Sequence, residues 1–289
     1  MTRRQGPRPV LKWAGGKAQL LDVIVGALPA RCVTYYEPFV GGGAVFFRLA
    51  AERRFERAVL ADRNPELVAV YQALQRNVEG LIERLGCLAE RNDEDSYYEI
   101  REARPTGLLT RAARFIYLNK TGYNGLYRVN RAGQFNVPFG RYKRPRILDE
   151  PNLRAAAEAL AGVELEVADF EPVCARARPG DAVYLDPPYV PLSRTSSFTA
   201  YDRHPFDLEA HERLAAVFRR LSEREVAAVL SNSKTPRTVA LYEGFRQRTV
   251  QVARPINSRA DARGPIPELL VVNDRARPGN RTRQQRRAH

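Results

Sequence analysis

Four consecutive residues, Asp186-Pro187-Pro188-Tyr189, carry the most specific chemistry in this chain. They follow directly on the apolar run Ala182 to Leu185, which reads as a buried strand, and the ends of parallel strands are where α/β ligand sites lie. Two prolines delete two backbone N–H donors and stiffen the turn, so the segment presents acceptors. A carboxylate, a rigid carbonyl and an aromatic ring in succession suit one task, holding a flat amino-substituted heterocycle. The lone pair of such an amine is delocalised into its ring and is a poor nucleophile. If the Asp186 carboxylate and the Pro187 carbonyl each accept one N–H, the nitrogen can pyramidalise and aim its lone pair at an electrophile, with Tyr189 stacked on the ring. The alternative is an ordinary strand-ending turn, since Asp-Pro and Pro-Pro are common turn pairs. The position after a buried strand favours the chemical reading.

A second cluster lies upstream. Val33 to Pro38 is a short β-rich run, Gly41-Gly42-Gly43 a turn, Ala44 to Arg54 a helical stretch, and Ala58 to Asp62 a buried-strand pattern ending in an acid. Together they make a βαβ unit. A glycine turn lets a ligand approach bare backbone, and a carboxylate at the end of the next strand can accept hydrogen bonds from ribose hydroxyls. Asp62 stands 19 residues beyond Gly43, close to the offset of about 20 found in nucleotide-binding units. Phe46 fills the third-glycine position of the dinucleotide fingerprint, which argues against a nicotinamide. Gly15-Gly16-Lys17 is no P-loop, because Ala18 offers no hydroxyl for magnesium. What remains is a turn suited to an adenosyl cofactor without a pyrophosphate, or a turn that is purely structural.

The elements that must position these residues are bounded by composition. The 289 residues predict one or two domains, and 44% hydrophobic content gives a globular chain with a real core. No window approaches the roughly 18 uninterrupted apolar residues of a spanning helix, and the N-terminus leads into no apolar signal segment. Neither a membrane protein nor export is expected. Cys32, Cys87 and Cys174 lie too far apart for a disulfide framework and suit a reducing cytoplasm. With His204, His211 and His289 they form no metal-ligand spacing, so no metal is expected.

Charge is distributed unevenly. The formal net charge is +14, with a pI near 10.1. Eleven basic residues and one acid, Glu102, lie between Arg101 and Arg146, and six arginines without an acid lie between Arg275 and His289. The rest of the chain is almost neutral. In the internal segment Phe115, Tyr117, Tyr123, Tyr127, Phe135, Phe139 and Tyr142 interleave the cations. Cations that neutralise phosphates beside rings that can meet bases make a nucleic-acid surface, with a plain solvated face as the alternative. The tail has almost no large apolar residue and reads as disordered.

Helical patterns run from Glu66 to Leu88, Tyr97 to Arg104 and Thr110 to Leu118, and Asn119 to Arg146 shows no clear period. Strand patterns return at Val163 to Val167, Ala182 to Leu185, Val226 to Ser231 and Leu269 to Val272, with a helix from Asp207 to Leu221. The architecture this predicts is an α/β sheet-and-helix domain interrupted by a mostly helical, basic insertion.

At these residues the chain resembles the Dam-type DNA adenine-N6 methyltransferases, the alpha group of the D12 class, which use S-adenosylmethionine. The resemblance spans about Val10 to Asp274. It runs through Leu11-Lys12-Trp13-Ala14-Gly15-Gly16-Lys17, Glu37-Pro38-Phe39-Val40-Gly41-Gly42-Gly43, Leu60-Ala61-Asp62, Gly122-Tyr123-Asn124-Gly125-Leu126-Tyr127-Arg128, Phe135 to Tyr142 and the Asp-Pro-Pro-Tyr segment. It implies a Rossmann-like methyltransferase sheet of residues 1–68 and 147–274, a target-recognition insert of 69–146, and a basic tail of 275–289. It implies cofactor contacts from Trp13, Lys17, Phe39, Gly41, Gly43, Asp62, Asp169, Phe170 and Asp186, with Asp62 on the ribose and Asp169 and Phe170 on the adenine. Asp186 to Tyr189 would form the catalytic loop. In the insert it implies DNA contacts from Tyr123, Asn124, Leu126, Arg128, Pro138, Arg141 and Tyr142, joined by Lys12. Tyr123 would fill the duplex beside a flipped adenine, Arg128 and Lys12 would read guanines, and Leu126 and Pro138 would meet thymine. Phe198 and Tyr201 also match, as base contacts or as core.

The implied activity is methyl transfer from S-adenosylmethionine to adenine N6 in double-stranded DNA, within a GATC-like site, by a cytoplasmic, nucleoid-associated monomer of bacterial or phage type. Three rivals differ from it: an amino methyltransferase acting on RNA adenine or protein glutamine, a catalytically silent DNA-binding protein, and a nicotinamide oxidoreductase. The basic insert argues against the first. Trp13, Lys17, Asp62 and Asp186 argue against the second, and the incomplete fingerprint argues against the third.

Overall fold

A computed structural model describes residues 6–13, 20–130, 132–189, 206–252 and 266–273. Seven strands form one sheet in the order β3-β2-β1-β4-β5-β7-β6. They are β1 (Cys32–Glu37), β2 (Phe55–Asp62), β3 (Glu164–Val167), β4 (Ala182–Leu185), β5 (Ala227–Ser233), β6 (Arg246–Val252) and β7 (Ile266–Val272). The first five in chain order are parallel, and β7 runs antiparallel between β5 and β6. β4 and β5 are buried along their whole length, as central strands covered on both faces must be.

Alternation along the strands divides the core in two. Tyr35, Ala58, Leu60, Tyr184 and Val229 point to one face, where helices α1 (Leu21–Ala27) and α2 (Ala44–Ala51) pack. Tyr36, Val59, Ala61, Val183, Leu185 and Leu230 point to the other, against α8 (Phe170–Ala175) and α9 (Leu208–Glu223). Strand order reverses between β1 and β4, so their carboxyl ends diverge into a crevice, the usual ligand position in an open α/β sheet. The expected Rossmann-like fold is the observed one.

Between β2 and β3 lie α3 (Pro65–Arg76), α4 (Val78–Ala89), α5 (Glu94–Glu102), α6 (Leu108–Thr121) and, after a long loop, α7 (Glu150–Ala159). The single helix expected from Glu66 to Leu88 is two. Asn77 breaks it at φ −159°, ψ 77°, and its side chain accepts the Gly80 N–H, capping α4. The boundary expected at 68/69 falls inside α3, whose Leu67, Val70 and Leu74 share a core with Val45 and Phe46 of α2 and Ile116 of α6. Helices α7, α8 and α10 (Pro236–Leu241) and strand β6 are additional to the elements expected from the sequence. β6 is an edge strand of mostly exposed polar residues, placed by its register on β7. Among the described residues no helix is long and apolar enough to cross a membrane.

Candidate active site

Asp186 sits at the carboxyl end of β4, half-buried, opposite Ser231 on β5. The Ser231 hydroxyl donates to Asp186 Oδ1 at 2.9 Å, and Tyr184 Oη lies 2.8 Å from Ser231 Oγ. Pro187 is buried and Pro188 exposed. Tyr189 is half-buried, and its hydroxyl donates to Glu268 Oε2 on β7 at 2.6 Å, which fixes the attitude of the ring. On the neighbouring strand β1, Glu37 is 2% exposed. Its Oε2 accepts the Tyr35 hydroxyl at 2.8 Å. Burial pushes the Glu37 carboxyl up to about 8; the Tyr35 hydrogen bond opposes this, and the Asp186 charge adds to it.

The glycine turn joins β1 to α2. Gly41 and Gly43 have φ +47° and +68°, in the left-handed region, and Gly43 caps α2. The Gly41 carbonyl accepts the Tyr71 hydroxyl at 2.7 Å. A β-carbon on Gly41 would stand 2.8 Å from Trp13 Cδ1, so Trp13 lies directly on bare backbone. Asp62 accepts the Gly41 N–H at 3.2 Å and the Asn64 N–H at 3.0 Å through different oxygens, tying the end of β2 to the turn.

Phe39, half-buried, stacks on Phe170 with centroids 5.5 Å apart. Phe170 is 1% exposed, enclosed by Phe39, Phe206 and the Arg213 guanidinium. Phe170 is therefore the covered ring of the pair, and Phe39 the less buried one. Asp169 caps α8 by accepting the Glu171 N–H and also accepts Arg213 Nη2 at 2.8 Å. Lys17, Phe198, Tyr201 and the 275–289 tail lie outside the described residues.

Trp13 links this corner to the insert, stacking at 5.5 Å on Tyr127 and 6.2 Å on Phe115 of α6. Beside it Lys12 is exposed, and its backbone is held at both ends by one amide. Asn119 Oδ1 accepts the Lys12 N–H at 2.8 Å, and Asn119 Nδ2 donates to the carbonyls of Lys12 at 2.7 Å and Gly125 at 3.1 Å. The loop after α6 folds on two bridges, Gly122 with Phe139 and Val129 with Phe135. Buried Tyr97 donates to the Val137 carbonyl and anchors it. Tyr123 is 52% exposed, and the Tyr142 hydroxyl accepts the Asn124 N–H at 2.9 Å. Leu126 is half-buried and Pro138 exposed. Arg128 is exposed, donating through Nε to Asn136 Oδ1 at 2.8 Å and through Nη2 to the Asn136 carbonyl at 3.1 Å. Arg141 pairs with Glu94 at 2.9 Å and stays mostly exposed.

The chain as a whole matches known proteins. The family model for D12 class N6 adenine-specific DNA methyltransferases covers residues 13–256. The chain belongs to that family. It is 41% identical over 285 residues to the type II methyltransferase M.MjaIII of Methanocaldococcus jannaschii, covering 92% of this chain and 99% of that protein. It is 39% identical over 270 residues to the DNA adenine methylase of Escherichia coli K12, covering 92% and 95%. A similar match, 39% over 274 residues, is to the type II methyltransferase M1.LlaDCHI of Lactococcus lactis subsp. cremoris.

This D12 chain is thus an adenine-specific DNA methyltransferase whose methyl donor is S-adenosylmethionine, as the sequence motifs predict. Sequence reading missed Ser231, Glu268, Asn119 and Asn136, the partners that hold Asp186, Tyr189, Lys12 and Arg128. Only the Asn-rich spacing of Asn119, Asn124, Asn130 and Asn136 among basic and aromatic residues offered a signal for the last two.

Proposed function

We propose that the enzyme acts on double-stranded DNA at a GATC-like site, reaching N6 by everting the adenine against Asp186 to Tyr189. The observation that carries this is the acceptor-rich, proline-stiffened end of β4, next to the glycine turn at the reversal of strand order. The amine of a stacked base pair is inaccessible, and eversion costs a few kcal/mol. Phosphate contacts from the basic insert offset that cost and set register. Residues 1–68 and 147–274 would form the catalytic unit and 69–146 the recognition unit of a monomer, with helix α3 continuous across the 68/69 boundary.

The corner formed by Trp13, Gly41, Gly43, Asp62 and Phe39 fits an adenosyl group, because the left-handed glycines let the turn close tightly under Trp13 and beside the end of β2. S-adenosylmethionine supplies there a methyl activated by its sulfonium. Asp62 would accept the ribose hydroxyls, Phe39 would stack on the adenine with Asp169 at its edge, and Trp13 would close the other side. Asp186 Oδ and the Pro187 carbonyl would accept the two N–H bonds of the target amine, and Tyr189 would stack on its base. Since the methyl carbon is already electrophilic, Asp186 orients the amine and need not be a strong base.

In the insert, Tyr123, 52% exposed, would occupy the space an everted base leaves. Asn136 holds the guanidinium of Arg128 in one attitude, which suits a bidentate contact to a guanine edge. Lys12, fixed through Asn119, would meet a second guanine, and Leu126 and Pro138 would meet thymine methyls. Asn124, Arg141 and Tyr142 would hold the phosphates alongside.

Labelled S-adenosylmethionine incubated with plasmid duplex, followed by nucleoside analysis and site mapping, tests the proposal. N6-methyladenine within GATC is expected; methylation scattered over other contexts, or label on RNA or protein alone, overturns it. Arg128→Ala is expected to flatten the preference for the read guanine by about 10- to 100-fold while lowering nonspecific DNA affinity far less. Unchanged preference in a library of variant sites would remove Arg128 from direct readout. Gly41→Ala places a β-carbon against Trp13 at a left-handed φ and is expected to weaken cofactor binding at least about tenfold. Isothermal titration with S-adenosylmethionine measures it.

A further inference from the structure

On the face of the sheet that carries Glu37, the side chains Tyr184, Asp186 and Ser231 meet at the ends of β4 and β5. Tyr184 and Leu185 pair in register with Val229 and Leu230, so the next residues, Asp186 and Ser231, stand side by side. Tyr184 and Ser231 are each 1% exposed, so water does not compete for their hydroxyls. The direction of the hydrogen bonds follows from what each group can do. A carboxylate only accepts, so the single Ser231 proton goes to Asp186 Oδ1 at 2.9 Å. The oxygen of Ser231, 2.8 Å from Tyr184 Oη, must then accept the tyrosine proton. Tyr184 has no easy route to ionisation, because burial and the charge of Asp186 both raise its pKa well above the ordinary phenol value. The chain therefore runs one way, from phenol to serine to carboxylate.

We propose that Ser231, oriented by Tyr184, is a positioning residue for methyl transfer. It pins one oxygen of Asp186, fixes the plane of the carboxylate and thereby sets where the adenine amine must place its N–H bonds. A carboxylate without the Ser231 hydrogen bond would still accept hydrogen bonds, but less often along the line that leaves the nitrogen lone pair facing the methyl carbon. An orientation effect of this kind acts on the bound complex, so it appears in turnover and not in affinity. The inference rests on the reading of Asp186 as the acceptor of the target amine.

The test compares Ser231→Ala, Tyr184→Phe and Asp186→Ala with the wild-type enzyme on one GATC duplex. Ser231→Ala is expected to lower kcat by about 10- to 100-fold with KM for DNA and for S-adenosylmethionine changed less than threefold. Tyr184→Phe keeps the serine proton on Asp186 and removes only its support, so a smaller loss, about threefold to tenfold, is expected, again in kcat. A merely structural role would lower the melting temperature or raise both KM values. Unchanged kcat in Ser231→Ala, or a loss confined to KM, overturns the inference. Should Ser231→Ala fail to fold, Tyr184→Phe decides, since full kcat there overturns the chain. The failures are separable. Undiminished transfer by Asp186→Ala would sink the reading of Asp186 itself, whereas loss of transfer in Asp186→Ala with full kcat in Ser231→Ala would sink only the role of Ser231.

Discussion

Asp186→Ala is expected to lower single-turnover methyl transfer by at least about 10²- to 10³-fold, the range seen when one preorganised polar partner of a reacting centre is removed. The reason lies in the amine. Adenine N6 shares its lone pair with the ring, and only acceptors placed on both N–H bonds make a tetrahedral nitrogen worth its cost. Alanine removes one of the two, and the Pro187 carbonyl alone cannot define the direction of the lone pair. Fold and binding are expected to survive. Asp186 is half-buried at a strand end, and Ser231 keeps Tyr184 as a partner after the carboxylate is gone. The surfaces assigned to DNA, from Lys12 to Tyr142, do not include it. Asp186→Asn keeps one acceptor oxygen and is expected to fall between wild type and alanine. Rapid-quench methylation, with DNA affinity measured by fluorescence anisotropy, separates the two effects. Wild-type transfer by Asp186→Ala at normal affinity would move the chemistry elsewhere.

The parts of this site that the sequence announces are those whose physics is local. Two prolines after an apolar strand state their geometry without reference to anything distant, and so does a glycine turn with an acid 19 residues on. The central strands β4 and β5 are legible because burial on both faces demands an unbroken apolar run. The parts that stay hidden depend on partners far along the chain. Asn119 reaches Lys12 across 107 residues, and Ser231 reaches Asp186 across 45. Ser231 carries no signal of such a bond, and Asn119 only its spacing among the other asparagines of the insert. Phe170 shows the same limit in another form. Its place after Asp169 is legible in the sequence, but only the packing of Phe39, Phe206 and Arg213 around it shows that its ring is covered. β6 stays hidden because an edge strand can be polar throughout and is placed by its neighbour.

Glu37 gives the second large effect, and it is expected in stability. Its carboxyl is pushed up to about 8 in the fold, chiefly by burial, against an ordinary value of 4.5 in the unfolded chain. Between those values the native state holds a proton that the unfolded state has released, so unfolding free energy falls as pH rises. The stabilisation is complete below about pH 4.5, declines through neutrality, and is exhausted above about pH 8, amounting to the order of 5 kcal/mol. The groups facing Glu37 do not mask this. Tyr35, Tyr71 and Tyr184 are raised well above the ordinary phenol value and stay neutral across the range. His211, held down to about 4 by burial, acts in the opposite sense, its contribution growing from about pH 4 to 6.5. Subtraction of a Glu37→Gln variant, which keeps His211 and an acceptor for the Tyr35 hydroxyl, isolates the Glu37 component. Urea unfolding at intervals from pH 5 to 9 should show wild-type stability falling relative to the variant until about pH 8 and running parallel above it. Parallel curves throughout would mean that Glu37 is already ionised at pH 5. The neutral acid matters for the site as well as for the fold. While Glu37 keeps its proton, the negative charge at the ends of β1 and β4 stays on Asp186, and its ionisation above pH 8 would set a second carboxylate beside the first.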